Sequence, residues 1–102
     1  MTSGSSKRLI VVVKPFKVEA VVRALLECGA ESLTYGEARG YGRQKGHLDA
    51  YRDDAHRVTF LPKVRLECAV PTDRVDETIE RVSTAARTGR IGDGKIFIGE
   101  LE

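Results

Sequence analysis

A run of five consecutive aliphatic residues, 9–13, constrains the fold of this chain more than any other feature. β-Branched side chains dominate the run, and Lys14 and Pro15 end it. A strand that is apolar at consecutive positions presents apolar side chains to both faces of a sheet, which is typical of a central strand. The first strand is therefore predicted to have a neighbour on each side and apolar groups on both faces.

Helical and strand periods follow one another along the rest of the chain. Residues 16–28 carry a helical apolar stripe that Gly29 is placed to end in a left-handed conformation. Residues 75–86 carry a second stripe, which follows a turn and predicted N-cap at residues 71–73 and closes at Arg87 and Gly89. Two helices are therefore predicted.

Strands are predicted over residues 32–41, 57–70 and 96–98. In the second of these, the apolar residues Val64, Leu66, Cys68 and Val70 alternate with a largely polar set, so one face is buried. Pro62 indicates a bulge or an edge segment at its start. The order βαββαβ predicts an α+β, ferredoxin-like fold, in which two helices cover one face of a four-stranded antiparallel sheet. Residues 1–6 are predicted to be disordered, and residues 7–102 to form a single domain.

Composition restricts the classes of function. The chain has 102 residues, 31% of them charged, with a net charge of +2 and no block of like charge. This mixture argues against a nucleic-acid arm or a membrane-surface segment. Cys28 and Cys68 lie in apolar patterns, which favours reduced core thiols in a cytoplasmic protein. No apolar run approaches the roughly 18 residues of a membrane span, and residues 1–6 are polar, so neither a transmembrane helix nor a signal peptide is expected.

The sheet face opposite the helices would be open in a monomer, although the first strand offers apolar side chains to it. We therefore expect a closed homo-oligomer that buries this face. The alternative is that a few exposed aliphatic side chains are tolerated.

Two glycine-rich loops suggest an anion site. The first, at residues 40–47, carries Arg43 and Lys45, and the second, at residues 89–95, ends in Lys95. Glycine N–H groups and lysines together can hold a phosphate, although each loop could instead be an ordinary turn. The second loop is not a P-loop, because Ile96 replaces the required Ser or Thr and a strand follows. Because the predicted sheet separates the two loops within a subunit, they are expected to converge across a subunit boundary.

Four blocks of residues are more specific: Val13-Lys14-Pro15-Phe16-Lys17, Gly40-Tyr41-Gly42-Arg43-Gln44-Lys45-Gly46-His47, Phe60-Leu61-Pro62-Lys63-Val64, and Ala86-Arg87-Thr88-Gly89-Arg90-Ile91-Gly92-Asp93-Gly94-Lys95-Ile96-Phe97. They closely resemble the PII nitrogen-regulatory signal proteins, over about residues 7–97. The resemblance implies a ferredoxin-like homotrimer that binds ATP or ADP competitively in clefts between subunits and acts as a sensor, not an enzyme.

The resemblance also implies the ligand-binding residues. Those implied for the nucleotide are Thr34, Gly42, Arg43, Gln44, Val64, Gly92, Asp93, Gly94 and Lys95. Those implied for 2-oxoglutarate are Gln44, Lys45 and Lys63, and Gln44 would also hold Mg²⁺ between that acid and the nucleotide phosphates. A neutral amide oxygen suits a hard cation, and a lysine can pair with a carboxylate. Apart from the resemblance, Lys63 could be an ordinary exposed charge.

Residues 43–57 correspond to the loop by which PII proteins engage ammonium transporters and nitrogen-metabolism enzymes. His56 stands where many bacterial members carry a modified tyrosine, and Asp54 where others carry a phosphorylated serine, so neither modification is expected. The chain stops before the family's basic C-terminal segment. Losing two charge-assisted contacts of roughly 1.5–3 kcal/mol each would weaken triphosphate binding by about tenfold or more. The alternative is a variant sensor of ADP or AMP and another small acid such as bicarbonate.

Three other functions have less support in the sequence. An RNA-binding module would need stacking rings on the third strand, and residues 64–70 include no aromatic. A nucleotide-processing enzyme would need acid–base groups at one centre, and nothing in the sequence brings Asp93, Glu37, His47 and His56 together. The remaining alternative is a structural trimer in which the glycine loops are only turns.

Overall fold

The computed structural model describes residues 5–40, 61–90 and 92–100. Four strands and two α-helices follow one another in the predicted βαββαβ order: β1 (Ser6–Val13), α1 (Val18–Glu27), β2 (Glu31–Gly40), β3 (Leu61–Pro71), α2 (Val75–Ala86) and β4 (Gly94–Glu100). A 3₁₀ turn precedes each helix, at Pro15–Lys17 and at Thr72–Arg74. No helix in these ranges is long and apolar enough to cross a membrane.

The strands form one antiparallel sheet with the order β2-β3-β1-β4. The ferredoxin-like prediction is confirmed, with β1 and β3 central and β2 and β4 at the edges. β1 ends at Val13, which lies opposite Val64 on one side and Gly94 on the other. β3 begins three residues before Val64 and is paired there with β2 alone. Pro62 lies in this two-stranded segment, as the edge prediction required.

The core lies between the sheet and the two helices. Leu9, Val11 and Val13 of β1 are buried, and so are the alternate residues of β3 that were predicted to face inward. α1 contributes the buried side chains Val21, Ala24 and Leu25, and α2 contributes Val82 and Ala86. α1 ends as predicted, because Gly29 adopts φ +87° after the C-cap Cys28. Cys28 and Cys68 are free and buried, as expected.

Several boundaries differ from the predicted ones. β1 begins at Ser6, and the Ser5 carbonyl oxygen accepts a 3.1 Å hydrogen bond from the Thr72 amide, so the sheet starts inside the segment that was predicted to be disordered. The predicted N-cap at residues 71–73 is wrong. The N-cap of α2 is Arg74 and makes no side-chain capping bond, and the Thr72 hydroxyl instead shares a 2.7 Å hydrogen bond with Ser5. β4 extends to Glu100, where Lys7 Nζ lies 2.7 Å from the glutamate Oε2.

The sheet face opposite the helices carries an apolar stripe. Register and burial place Ile10, Val12, Ala69 and Phe97 on this open face, and the Phe97 side chain is 53% exposed. β1 therefore supplies apolar groups to both faces, as its sequence predicted. That a second copy of the chain covers this face stays a prediction.

Candidate anion-binding site at the second glycine loop

The connection from α2 to β4 crosses the end of the sheet where β1 stops. Gly89 and Gly92 adopt positive φ angles of 83° and 85°, a conformation that glycine adopts without strain. Gly94 begins β4 against β1 so closely that a Cβ there would lie 2.8 Å from the carbonyl oxygen of Val12. The loop is thus held at the end of β1 by close backbone packing.

Asp93 is the centre of the hydrogen bonding in this loop. Its Oδ2 accepts the backbone N–H groups of Thr88 at 2.8 Å and Gly89 at 3.0 Å, and its Oδ1 accepts the Thr88 hydroxyl. Lys14 Nζ lies 3.2 Å from Oδ1 and 3.3 Å from the Thr88 Oγ1. The Thr88 hydroxyl, the Thr88 amide, Lys14 and Gly89 together hold the pKa of Asp93 well below its usual range. The carboxylate is therefore ionised, and its hydrogen bonds from Thr88 and Gly89 lie within its own loop.

Lys63 joins this loop to the base of the first glycine loop. Its methylene stem lies across Gly40, where an added Cβ would be 3.1 Å from the Lys63 Cγ. Its Nζ donates a 2.7 Å hydrogen bond to the carbonyl oxygen of Gly92. The expectation that the two loops are well separated within a subunit is therefore wrong at their bases. β3 extends past the end of β1, and a long side chain spans the remaining gap.

Positive charge dominates the described part of the site. Burial lowers the pKa of Lys63, and the charges of Lys14 and Lys95 lower it further, while Asp93 raises it. Lys95 is exposed at the start of β4, opposite Val12 and thus on the open face. Lys14 is thus paired with the Asp93 carboxylate, and Lys63 is close enough to Lys14 and Lys95 to be affected by their charges. Such an arrangement of lysines and glycine-rich backbone can bind an anion.

Two residues that the resemblance assigned to the nucleotide do not bring their side chains to this cluster. Thr34 is on β2 opposite Glu67, and Glu67 is four positions, about 13 Å, along β3 from Lys63. Val64 is 4% exposed, and its side chain belongs to the core on the helix side of the sheet. Its side chain is therefore not available to a ligand at the glycine loop of the same chain.

Several predicted site residues lie outside the described residues, namely Gly42, Arg43, Gln44 and Lys45, together with Asp54 and His56. The Mg²⁺ ligand and the modification positions therefore stay predictions. Within the described ranges, no three His, Cys, Asp or Glu residues are grouped as a metal site would require.

The sequence reasoning missed Lys14 and Thr88 as parts of the site. Lys14 follows the last residue of β1, and Thr88 follows α2 by two positions, so each occupies the end of an element. Their only signal was that both lie inside blocks that carry the family resemblance. The contact between them depends on β1 and the loop meeting in three dimensions.

Comparison with known proteins identifies the family. The model of the family described as nitrogen regulatory protein P-II matches residues 6–102. The chain belongs to the P-II family. The nitrogen regulatory protein GlnK of Escherichia coli strain K12 is 51% identical over 96 residues, which are 94% of this chain and 86% of the relative. A P-II protein of Mesorhizobium japonicum is 48% identical over the same shares of both chains.

A solved structure supports the fold of this P-II protein independently. The PII protein of Arabidopsis thaliana, crystallised with citrate, matches it with a TM-score of 0.71 and 32% sequence identity. The match covers 95% of this chain and 78% of the plant chain. The predicted membership is confirmed, and the chain is a nitrogen regulatory signal protein of the P-II type.

Proposed function

We propose that this P-II protein senses adenine nucleotides and regulates nitrogen metabolism or transport. ATP or ADP would bind at the second glycine loop, and 2-oxoglutarate would bind beside it with Mg²⁺. The observation that carries the proposal is the position of Lys63 and Lys95 beside a glycine-rich loop whose carboxylate, Asp93, is already paired with Lys14.

The lysine cluster favours nucleotide phosphates as the ligand. Burial, and then the charges of Lys14 and Lys95, lower the pKa of Lys63, and an anion bound beside Lys63 would oppose that effect. Amides of residues 92–95 and the Lys95 ammonium can donate to phosphate oxygens. Arg43 and the amides around Gly42 would add donors from the first loop, and Gln44 would hold Mg²⁺.

A carboxylate effector suits the Lys63 side of the cluster. Lys63 lies between the bases of the two loops, so 2-oxoglutarate bound by Gln44, Lys45 and Lys63 would contact both. The Arabidopsis relative was solved with citrate, which is also a polycarboxylate. The alternative within the same proposal is a sensor of ADP or AMP and a different small acid such as bicarbonate.

A homotrimer would complete the nucleotide site. Thr34 lies about 13 Å along the sheet from Lys63, so one chain does not bring it to the same ligand. Packing of three copies through the apolar stripe on the open face would bring Thr34 of one subunit toward the glycine loop of another. The trimer would then act as a cytoplasmic sensor whose segment 43–57 binds an ammonium transporter or a nitrogen-metabolism enzyme.

Calorimetric titration tests this proposal directly. ATP, ADP and AMP are each titrated into the purified protein, with and without 2-oxoglutarate or bicarbonate and Mg²⁺. Binding of ATP or ADP that Lys63→Met weakens and Lys17→Met leaves unchanged is the expected result. The absence of heat with all three nucleotides at millimolar concentration would refute the proposal. Light scattering on the same sample should give the mass of a trimer.

A further inference from the structure

The resemblance assigns Asp93 to the nucleotide, but its carboxylate is already fully bonded within the protein. A carboxylate offers about four lone-pair sites. Two N–H groups, one hydroxyl and one ammonium occupy them, from Thr88, Gly89 and Lys14. A free carboxylate beside a phosphate would also repel it. These contacts direct the negative charge of Asp93 into the loop and leave no oxygen for a ligand.

We propose that Asp93, Thr88 and Lys14 form a brace that positions the anion-binding loop, and that none of the three contacts the ligand. This inference rests on the proposed nucleotide function for its ligand. Lys14 precedes the 3₁₀ turn of Pro15–Lys17, and the brace links it to Thr88 and Asp93. It acts on the ligand through the backbone that it holds.

Two contacts transmit the position of the brace to the ligand groups. Gly92, next to Asp93, presents the carbonyl oxygen that holds Lys63 Nζ at 2.7 Å. Gly94, on the other side of Asp93, packs against the Val12 carbonyl and begins the strand that carries Lys95. Moving Asp93 would therefore displace both lysines that face the anion. The Thr88 hydroxyl also accepts a 3.2 Å hydrogen bond from the Arg90 amide, which holds Arg90 close to the brace.

Lys14 serves the brace as its counter-ion. The side chains of Lys14 and Asp93 are only 19% and 23% exposed, so the pair is partly shielded from water and from salt. The Lys14 ammonium is bonded to Asp93 and Thr88, so its charge is already paired within the protein. Lys14 is therefore a positioning residue that the family resemblance did not assign.

Four variants test the brace: Lys14→Met, Asp93→Asn, Thr88→Val and Thr88→Ser. Lys17→Met is the matched control, because it makes the same substitution three positions after Lys14. The Lys17 Nζ lies 6.0 Å from the centre of the Phe16 ring. The first measurement is amide hydrogen exchange of Thr88 and Gly89 in the ligand-free protein. Exchange should accelerate about tenfold or more in Asp93→Asn, since both amides lose a charged acceptor. Thr88→Ser should stay near the wild type.

The second measurement separates positioning from ligand contact. ADP affinity should fall about tenfold in Lys14→Met and Thr88→Val, and should recover in Thr88→Ser. The dependence of affinity on NaCl concentration should become much shallower in Lys63→Met than in Lys14→Met, because a lysine that pairs directly with the ligand contributes more to the salt-sensitive attraction than one at a greater distance.

Two outcomes would overturn the brace. One is unchanged exchange of the Thr88 and Gly89 amides in Asp93→Asn together with weakened ADP binding, which would make Asp93 a ligand contact. The other is a salt dependence that becomes as shallow in Lys14→Met as in Lys63→Met, which would make Lys14 a phosphate contact. If the wild-type protein binds no nucleotide, the proposed function fails, and the exchange measurement still decides whether the brace exists. Thermal midpoints of all variants show whether each one folds.

Discussion

Gly94→Ala tests whether close packing between β4 and β1 positions the site. An alanine Cβ at this position would lie 2.8 Å from the Val12 carbonyl oxygen and 3.3 Å from the Val13 Cγ1. Ordinary contacts of a Cβ are 3.4–4 Å. The obstacle at 2.8 Å is backbone, which a side-chain rotation cannot move. The two strands must therefore separate where they begin to pair.

Two opposing effects determine how Gly94→Ala changes the free energy of unfolding. Overpacking of this kind destabilises proteins by about 1–3 kcal/mol. Replacing glycine by alanine also restricts the unfolded chain, which contributes about 0.4–1 kcal/mol of stability where the backbone conformation is compatible. A net destabilisation of about 1–2 kcal/mol is expected for Gly94→Ala. Because the substitution displaces the loop, the ADP affinity of Gly94→Ala should also fall about tenfold.

Gly99→Ala is the matched control on the same strand. A Cβ at Gly99 would meet nothing within 4 Å. This variant should be as stable as the wild type or more stable by up to about 1 kcal/mol. Urea denaturation at one protein concentration measures both variants, and the fixed concentration matters because subunit association contributes to apparent stability. If Gly94→Ala unfolds at the same urea midpoint as Gly99→Ala, the inference from backbone crowding is wrong.

Three further predictions concern the core, the acid range and the thiols. Leu25→Ala removes a fully buried side chain and should cost about 2–5 kcal/mol in urea denaturation. Because the folded-state pKa of Asp93 lies below its unfolded value, its ionised form stabilises the fold at neutral pH, and this contribution is lost as pH falls below about 4. Asp93→Asn should therefore be less stable than the wild type at neutral pH, and the difference should shrink in acid. Burial, with a contribution from Glu67, raises the pKa of Cys68 to about 11, so a thiol reagent at about pH 8 should modify it slowly until urea unfolds the protein.

The fold was predictable because its strands carry strong periodic signals. The alternation along β3 follows the burial of one face of that strand, and the aliphatic run places apolar side chains of β1 on both faces of the sheet. Both patterns can be read from the residue type at each position. Element ends were less predictable, since they depend on contacts between distant residues. Ser5 and Thr72 bond to each other across 67 positions, which starts β1 early and takes the Thr72 hydroxyl from the helix.

The site was predictable in outline but not in its residue roles. A motif identifies which positions matter, and it does not show which way a side chain points. Val64 and Asp93 illustrate this limit, because both lie in blocks that resemble the family. In the structure one side chain is buried in the core, and the other is bonded to its own loop. A role that the family resemblance implies for a residue therefore has to be checked against the direction and the contacts of its side chain in the structure.

The topology explains why lysines from three distant segments meet. In the order β3-β1-β4 with antiparallel pairing, the end of β1 adjoins the starts of both neighbouring strands. Lys14 follows the end of β1, Lys63 lies near the start of β3, and Lys95 near the start of β4. The predicted βαββαβ order thus already implies that their backbones are neighbours. What it does not imply is how their charges are paired, because that depends on the Asp93 carboxylate, whose Oδ1 lies 3.2 Å from Lys14 Nζ.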